Sequence, residues 1–304
     1  MAETQEFDNP DVPTGRKAFV PLENNPEVMS SLVHKLGLSS TLSFHDVWSI
    51  DDPEMLAFVP RPASALLLVF PVSKTYETYR MEEDKSNKEY EGKGGEEPVI
   101  WYKQTIRNAC GLIGVLHAVS NGTAKDFITP GSDLRKLVDD ATPLGPIERA
   151  DLLYNSQALE SAHQGAASQG QSDRPDAEDN VDLHYVCFIK DAKNNLWEMD
   201  GRRKGPINRG NIGEEDVLSE KALDLGARPF FKREAAAGAV APADDKTGAQ
   251  AEQYTKGSLD ESQLDPSSPF NQFNTWFTLA QKSSVHQPET QLGNQPESQG
   301  RGKQ

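Results

Sequence analysis

An α+β fold is predicted by three features of the chain. An apolar run over 65–71 reads as a buried strand, 184–190 and 196–200 read as the arms of a hairpin, and 110–120 reads as a buried helix. In order, helices are expected near 26–36, 110–120, 133–139, 146–158 and 215–225, and strands near 65–71, 184–190, 196–200 and 273–280.

The helix near 110 carries the first chemistry. Leu112, Val115, Leu116 and Val119 share one face at a 3.6-residue period. Asn108 reads as its N-cap and Asn121-Gly122 as its C-terminal stop. Cys110 then falls in the first turn, where unpaired N–H groups and the positive dipole end favour thiolate over thiol. The plainer reading is a small core residue, which free cysteine often is. Gln104 enters the same helix six residues earlier. Its amide N–H and a backbone N–H at the helix start would together make an oxyanion hole; alone it reads as a surface glutamine.

The hairpin carries the second. Leu183, Tyr185, Cys187 and Ile189 alternate with His184, Val186, Phe188 and Lys190; 191–195 is a turn, 196–199 a second strand, and Gly201 ends it. Folding about residue 193 brings His184 close to Asp200. A carboxylate at that range holds an imidazole in one tautomer and stabilises it when charged. Taken singly, His184 reads as a structural histidine and Asp200 as a turn cap. His117 lies on the Cys110 helix but seven residues on, about 10 Å along the axis, too far to accept the thiol proton. His163 falls in a polar loop, His34, His45 and His286 have no comparable setting, and Cys187 reads as inert core. Cysteine, imidazole, carboxylate and amide in this order point to a cysteine hydrolase.

Composition narrows the class. The 304 residues hold one good-sized domain, and a net charge of −16 with a pI near 4.8 argues against a nucleic-acid binder and suits a basic partner. Two cysteines make no disulfide framework. The acidic, polar opening predicts no secretory signal, and the longest apolar run, Ala63 to Val72, is too short to cross a bilayer. Asn121-Gly122-Thr123 matches a glycosylation sequon but reads better as the helix stop. No metal-ligand spacing, phosphate-binding loop or internal repeat is present, so no metal and no cofactor are expected. Residues 1–16 read as a flexible leader, 17–281 as a catalytic domain and 282–304 as a disordered tail. Within the domain, Tyr79 to Pro98 reads as an exposed connection, 159–182 as a polar lid over the site, and 233–268 as a flexible low-complexity insertion.

From Lys17 to Lys232, and again from Phe273 to Ala280, the chain resembles the ubiquitin C-terminal hydrolase family of cysteine peptidases, in its small single-domain branch. The matching stretches are Phe19 to Val28, Leu36-Gly37-Leu38, Phe44 to Val47, Val59-Pro60-Arg61-Pro62 with the strand after it, Gln104 to Cys110, Leu183-His184-Tyr185 and Glu198 to Arg202. The resemblance implies a central antiparallel sheet covered by helices on both sides, a papain-like placement of cysteine and histidine, and a knotted backbone. It implies Cys110 as nucleophile, His184 as proton acceptor and donor, Asp200 as its orienter and Gln104 as oxyanion stabiliser. The 159–182 segment becomes a crossover loop that admits only small or flexible adducts on ubiquitin or a ubiquitin-like modifier. Glu23, Glu27 and Asp46 match the acids that hold the basic ubiquitin tail, although Glu27 also reads as a helix N-terminal acid. The family also carries an acid just before the last strand; here that stretch is Phe270 to Phe273, and the nearest acid upstream is Asp265. A monomer in the cytoplasm is expected, with the nucleus left open as a second location. Two other readings stay open: a catalytically silent ubiquitin-binding scaffold, and another acyl transfer such as transglutaminase or acetyltransferase. The Gln104 spacing and the N-terminal segment argue against the last.

Overall fold

The structure is a computed structural model that describes residues 17–169, 183–236 and 275–281. In chain order the elements are α1 (Pro26–Leu36), β1 (Leu42–Asp46), α2 (Pro53–Ala57), β2 (Ala63–Pro71), α3 (Lys74–Lys85), α4 (Cys110–Val119), a 3-10 helix (Gly122–Phe127), α5 (Asp133–Ala141), α6 (Pro146–Asn155), α7 (Gln157–Ala167), β3 (Leu183–Lys190), β4 (Asn195–Met199), β5 (Ile207–Asn211), α8 (Glu220–Leu225), α9 (Ala227–Ala236) and β6 (Thr275–Gln281). The six strands form one antiparallel sheet in the order β1-β6-β2-β3-β4-β5.

Strand alternation sets the layers. Leu67, Val69, Tyr185, Cys187, Ile189 and Phe277 point to one face and pack with residues of α1, α4, α5 and α7. Leu66, Leu68, Phe70, Val186, Phe188 and Trp276 point to the other and meet Leu56 of α2, Tyr76 of α3, Leu223 of α8 and Phe230 and Phe231 of α9. A sheet buried on both faces is the expected α+β sandwich. Truncating a central residue such as Leu67 to alanine would cost about 2–5 kcal/mol.

Local chemistry explains the ends. Asn25 caps α1 through the Glu27 N–H, Pro26 opens it, and Gly37 at φ 115° closes it with bonds to the Val33 and His34 carbonyls. The same helix covers β1: Ser30 Oγ accepts the Phe44 N–H at 2.8 Å, and His34 Nε2 meets the Leu42 carbonyl at 2.7 Å.

Several expected boundaries need correction. Residues 79–98 are not wholly an exposed connection, because 74–85 form α3, capped by Ser73. Its buried face is Tyr76, Arg80 and Asp84, a helical spacing that hydropathy does not reveal because the face is polar. The polar stretch from 159 begins as α7, whose buried face of Leu159, Ala162, His163, Ala166 and Ala167 is made mostly of small residues. The helix expected over 146–158 breaks at Ser156, which caps α7 through the Leu159 N–H. The last expected helix shortens to α8, and α9 follows it into the stretch expected as insertion. The leader, 170–182 of the crossover loop, 237–268 of the insertion and the tail lie outside the described residues.

His163 is therefore not in a loop. It is buried on α7, stacks on Phe19 with centroids 4.6 Å apart, and its Nε2 meets the Val20 carbonyl at 2.8 Å. His117 is buried on α4, where its Nε2 accepts the Tyr102 N–H at 2.9 Å and is held without a proton. Burial pushes His117 down to about 3 and His163 to about 4. Below the ordinary histidine range near 6.5, the unfolded chain binds protons that the folded chain refuses. Stability is therefore full near pH 7 and falls as pH drops toward 4. Asp46, pushed up to about 6 by burial and the charge of Glu27, opposes this over part of the window, with a smaller departure. Scanning calorimetry should find a Tm several degrees lower near pH 4.5 than near pH 7; an equal Tm at both would contradict this assignment.

Candidate active site

Cys110 is the first residue of α4. Asn108 is not its cap, as the sequence suggested; it takes a left-handed φ of 55°, and Ala109 precedes the helix without any side-chain cap. The helix-start N–H groups are thus left for the sulfur. Their effect does not win. Burial pushes the Cys110 thiol up to about 11, against the N–H groups of Gly111, Tyr185 and Cys110 and the charge of Arg202. The expected preference for thiolate is corrected: desolvation outweighs the dipole in the free protein. The thiol donates to the Leu183 carbonyl at 3.7 Å, next to His184 and not to it. Gly111 permits this approach, since a Cβ there would lie 3.3 Å from the Tyr185 ring and 3.4 Å from Leu22.

The hairpin pairs Cys187 with Met199 and Lys190 with Leu196, a register centred on residue 193 as expected. Asp200 follows β4, and His184 Nε2 lies 2.8 Å from Asp200 Oδ1. Both residues are buried. Nε2 is engaged by the carboxylate, which leaves Nδ1 as the nitrogen for proton exchange. The Arg202 N–H also donates to Oδ1 at 2.9 Å, the Tyr76 hydroxyl donates to Oδ2, and Trp101 Nε1 donates to the Asp200 carbonyl at 3.1 Å. Burial alone would raise Asp200. The charge and hydrogen bond of His184, the charge of Arg203 and the Tyr76 hydroxyl outweigh it and hold the carboxyl well below its usual range. The turn after Asp200 is bolted to α3: Arg203 pairs with Asp84 at 3.0 Å and Glu83 at 2.8 Å, and Arg80 donates to the Arg202 carbonyl at 2.8 Å.

Gln104 is locked to the same turn. Its N–H donates to the Gly201 carbonyl at 2.9 Å, and a Cβ on Gly201 would lie 3.0 Å from Gln104 Cβ and 2.9 Å from Ile113. Only glycine fits there. The Gln104 side chain is buried, with Nε2 reaching the Ile106 carbonyl at 3.4 Å and Oε1 left without a partner. A buried amide so weakly engaged is available to a ligand.

The three acids lie along the N-terminal segment and β1. Glu23 is buried, and Tyr185, whose phenol is pushed up by burial and then by the Glu23 charge, donates to Asn24 Oδ1. Glu27 sits exposed in the first turn of α1, where it also suits the dipole, and its charge acts on Asp46. Phe270 to Phe273 and Asp265 lie outside the described residues. Sequence reasoning missed Tyr76 and Trp101, which touch Asp200 from 124 and 99 residues away. No local signal marks them. Among the described residues there is no group of three or more metal-type ligands, and no helix long and apolar enough to cross a membrane.

A cysteine at a helix start, beside a strand histidine paired with a carboxylate, defines the architecture of a cysteine hydrolase. Residues 19–226 match the sequence profile of ubiquitin carboxyl-terminal hydrolase, family 1. Ubiquitin carboxyl-terminal hydrolase 3 of Arabidopsis thaliana is 40% identical over 205 residues, 67% of this chain and 84% of that protein. Ubiquitin carboxyl-terminal hydrolase isozyme L1 of Rattus norvegicus is 35% identical over 214 residues, 70% of this chain and 92% of that protein. The fold matches the crystal structure of the Trichinella spiralis UCH37 catalytic domain bound to ubiquitin vinyl methyl ester, with a TM-score of 0.55 at 14% identity over 86% of this chain and 95% of that chain. The chain belongs to the ubiquitin carboxyl-terminal hydrolase family, cysteine-type hydrolases that remove ubiquitin.

Proposed function

We propose that this chain cleaves small or flexible adducts from the C-terminal glycine of ubiquitin, or of a ubiquitin-like modifier, through an acyl-enzyme on Cys110. The thiol leaves the Leu183 carbonyl, gives its proton to His184 Nδ1 and attacks the glycine carbonyl carbon. The resulting oxyanion is held by the Gln104 amide and a backbone N–H at the start of α4. His184 returns the proton to the leaving amine, alcohol or thiol as the carbonyl bond to it breaks. Water, deprotonated by His184, then adds to the thioester, and its collapse frees the glycine carboxylate and restores the thiol. Asp200 orients the imidazole and stabilises its charged form throughout. The observation that carries this reading is the 2.8 Å contact between His184 Nε2 and Asp200 Oδ1 beside the Cys110 thiol. The limit on adduct size rests on the family resemblance of the segment between α7 and β3, the strand that carries His184.

Ubiquitin bearing a C-terminal electrophile tests the reading. A covalent adduct with the parent protein but not with Cys110→Ala is expected. Tight binding of plain ubiquitin with no adduct and no turnover would favour the scaffold instead.

Glu23, Glu27 and Asp46 are proposed to hold the basic tail through charge-assisted bonds. Asp46 loses its charge as pH falls through about 6. The Kd of plain ubiquitin for the Cys110→Ala protein should therefore rise several-fold between pH 7.5 and about 5.5. Asp46→Asn should weaken binding at the higher pH and flatten the dependence. Calorimetric titration checks both; an unchanged profile in Asp46→Asn removes that residue from the contact.

A further inference from the structure

We propose that Tyr76 is a positioning residue for the hydrolytic reaction, fixing the Asp200 carboxylate through its second oxygen. The inference rests on the Cys110–His184–Asp200 reading above.

Asp200 has two carboxylate oxygens and a carbonyl, each tied to a different place. Oδ1 takes His184 Nε2 at 2.8 Å and the Arg202 N–H at 2.9 Å, the carbonyl takes Trp101 Nε1 at 3.1 Å, and Oδ2 takes the Tyr76 hydroxyl. Asp200 is fully buried, so Oδ2 without Tyr76 is an anionic oxygen stripped of water. The carboxylate would then be free to turn about its last torsion and offer His184 either oxygen.

The tyrosine is itself held. It sits in the first turn of α3, its N–H bound to the Ser73 hydroxyl at 2.9 Å. Its ring packs edge-on against Phe70 at 4.8 Å and lies 5.9 Å from the His184 ring. Phe70 faces His184 across the β2–β3 pairing, with centroids 5.8 Å apart. Tyr76 therefore walls the imidazole with its ring and clamps the carboxylate with its hydroxyl. Burial and the charge of Asp200 hold the phenol well above its ordinary value, so it remains a donor at every working pH.

The hydroxyl also acts on the base. A donor on Oδ2 competes with the imidazolium for the carboxylate charge, so it favours neutral His184. The other groups that face the pair are Arg80 from α3, Arg202 and Arg203 from the turn, neutral His117 from α4 and the Cys110 thiol. Among the described residues, the hydrogen bond on Oδ2 comes from the Tyr76 hydroxyl.

Tyr76→Phe removes the hydroxyl and keeps the ring. Turnover of ubiquitin with a fluorogenic C-terminal leaving group should fall roughly tenfold to a hundredfold in kcat, with KM little changed. The midpoint of the His184 titration, followed by NMR in the free protein, should move to higher pH. In an Asp200→Asn background the same change should lower kcat no further, because the tyrosine acts through Asp200. An unmoved His184 midpoint, or losses that simply add in the double variant, overturns the proposal. If the parent forms no adduct and turns over no substrate, yet the midpoint moves, the positioning stands and the reading beneath it fails.

Discussion

His184→Ala lowers kcat on ubiquitin conjugates by roughly four orders of magnitude or more. The expectation follows from the state of the nucleophile. With burial pushing the thiol up to about 11, only about one sulfur in ten thousand is ionised at pH 7. The helix start does not supply a ready thiolate, so a base must take the proton as the sulfur attacks. His117 is on the same helix, but its Nε2 already accepts the Tyr102 N–H and it stays neutral to about pH 3. His163 is engaged with Val20 and Phe19. Among the described histidines, His184 combines a carboxylate partner on one nitrogen with the thiol's carbonyl acceptor as its chain neighbour. Asp200→Asn should cost less than His184→Ala, because it disturbs tautomer and charge without removing the base. A second measurement separates a neutral thiol from a preformed ion pair. Alkylation of Cys110 by iodoacetamide in the free protein should keep accelerating with pH above about 9. A rate that levels near neutral pH would mean that thiolate and imidazolium already coexist there. More than about one per cent residual turnover in His184→Ala would place the base elsewhere.

The parts of this site that were legible in the sequence are those made by local pattern. The α4 period locates Cys110, and the hairpin symmetry about residue 193 brings His184 and Asp200 together. What local pattern cannot carry is partnership across the chain. Tyr76, Trp101 and the Leu183 carbonyl enter the site through packing of distant segments, and neither Tyr76 nor Trp101 differs in type from an ordinary core aromatic. The thiol's protonation follows the same rule: the dipole is readable from helix position, whereas desolvation depends on how deeply the packed fold buries Cys110. In the fold, α3 and α7 escaped because their buried faces carry Arg80, Asp84, His163 and alanines in place of large apolar residues. The strands β1 and β5 escaped because they are edges, five residues each, with little alternation.

Arg149→Met costs about 3–5 kcal/mol of stability, with a penalty that depends on pH. Arg149 is fully buried on α6 and pairs with Glu97, whose side chain is 4% exposed. The guanidinium also donates to the Ala141 carbonyl at 2.8 Å, the Thr142 carbonyl at 3.3 Å and the Trp101 carbonyl at 3.5 Å. It thereby joins the end of α5 to the segment that enters the site, since Trp101 donates to Asp200 and Gln104 follows three residues later. Removing it strands Glu97 with the Tyr90 hydroxyl, 3.3 Å away. Burial already holds Glu97 above the usual carboxylate value even with its partner in place. Without Arg149 it rises further, so the folded variant binds a proton that the unfolded chain has released. Its stability must then fall as pH rises through the neutral range, and the deficit against the parent must shrink toward about pH 5. Adding Glu97→Gln to Arg149→Met removes the stranded charge and should recover much of the loss, leaving the absent carbonyl bonds as the remainder. Urea titrations of the parent, the single and the double variant near pH 8 and near pH 5 decide this. A deficit that is the same at both pH values would mean that the cost lies in packing, and that the Glu97 charge has no part in it.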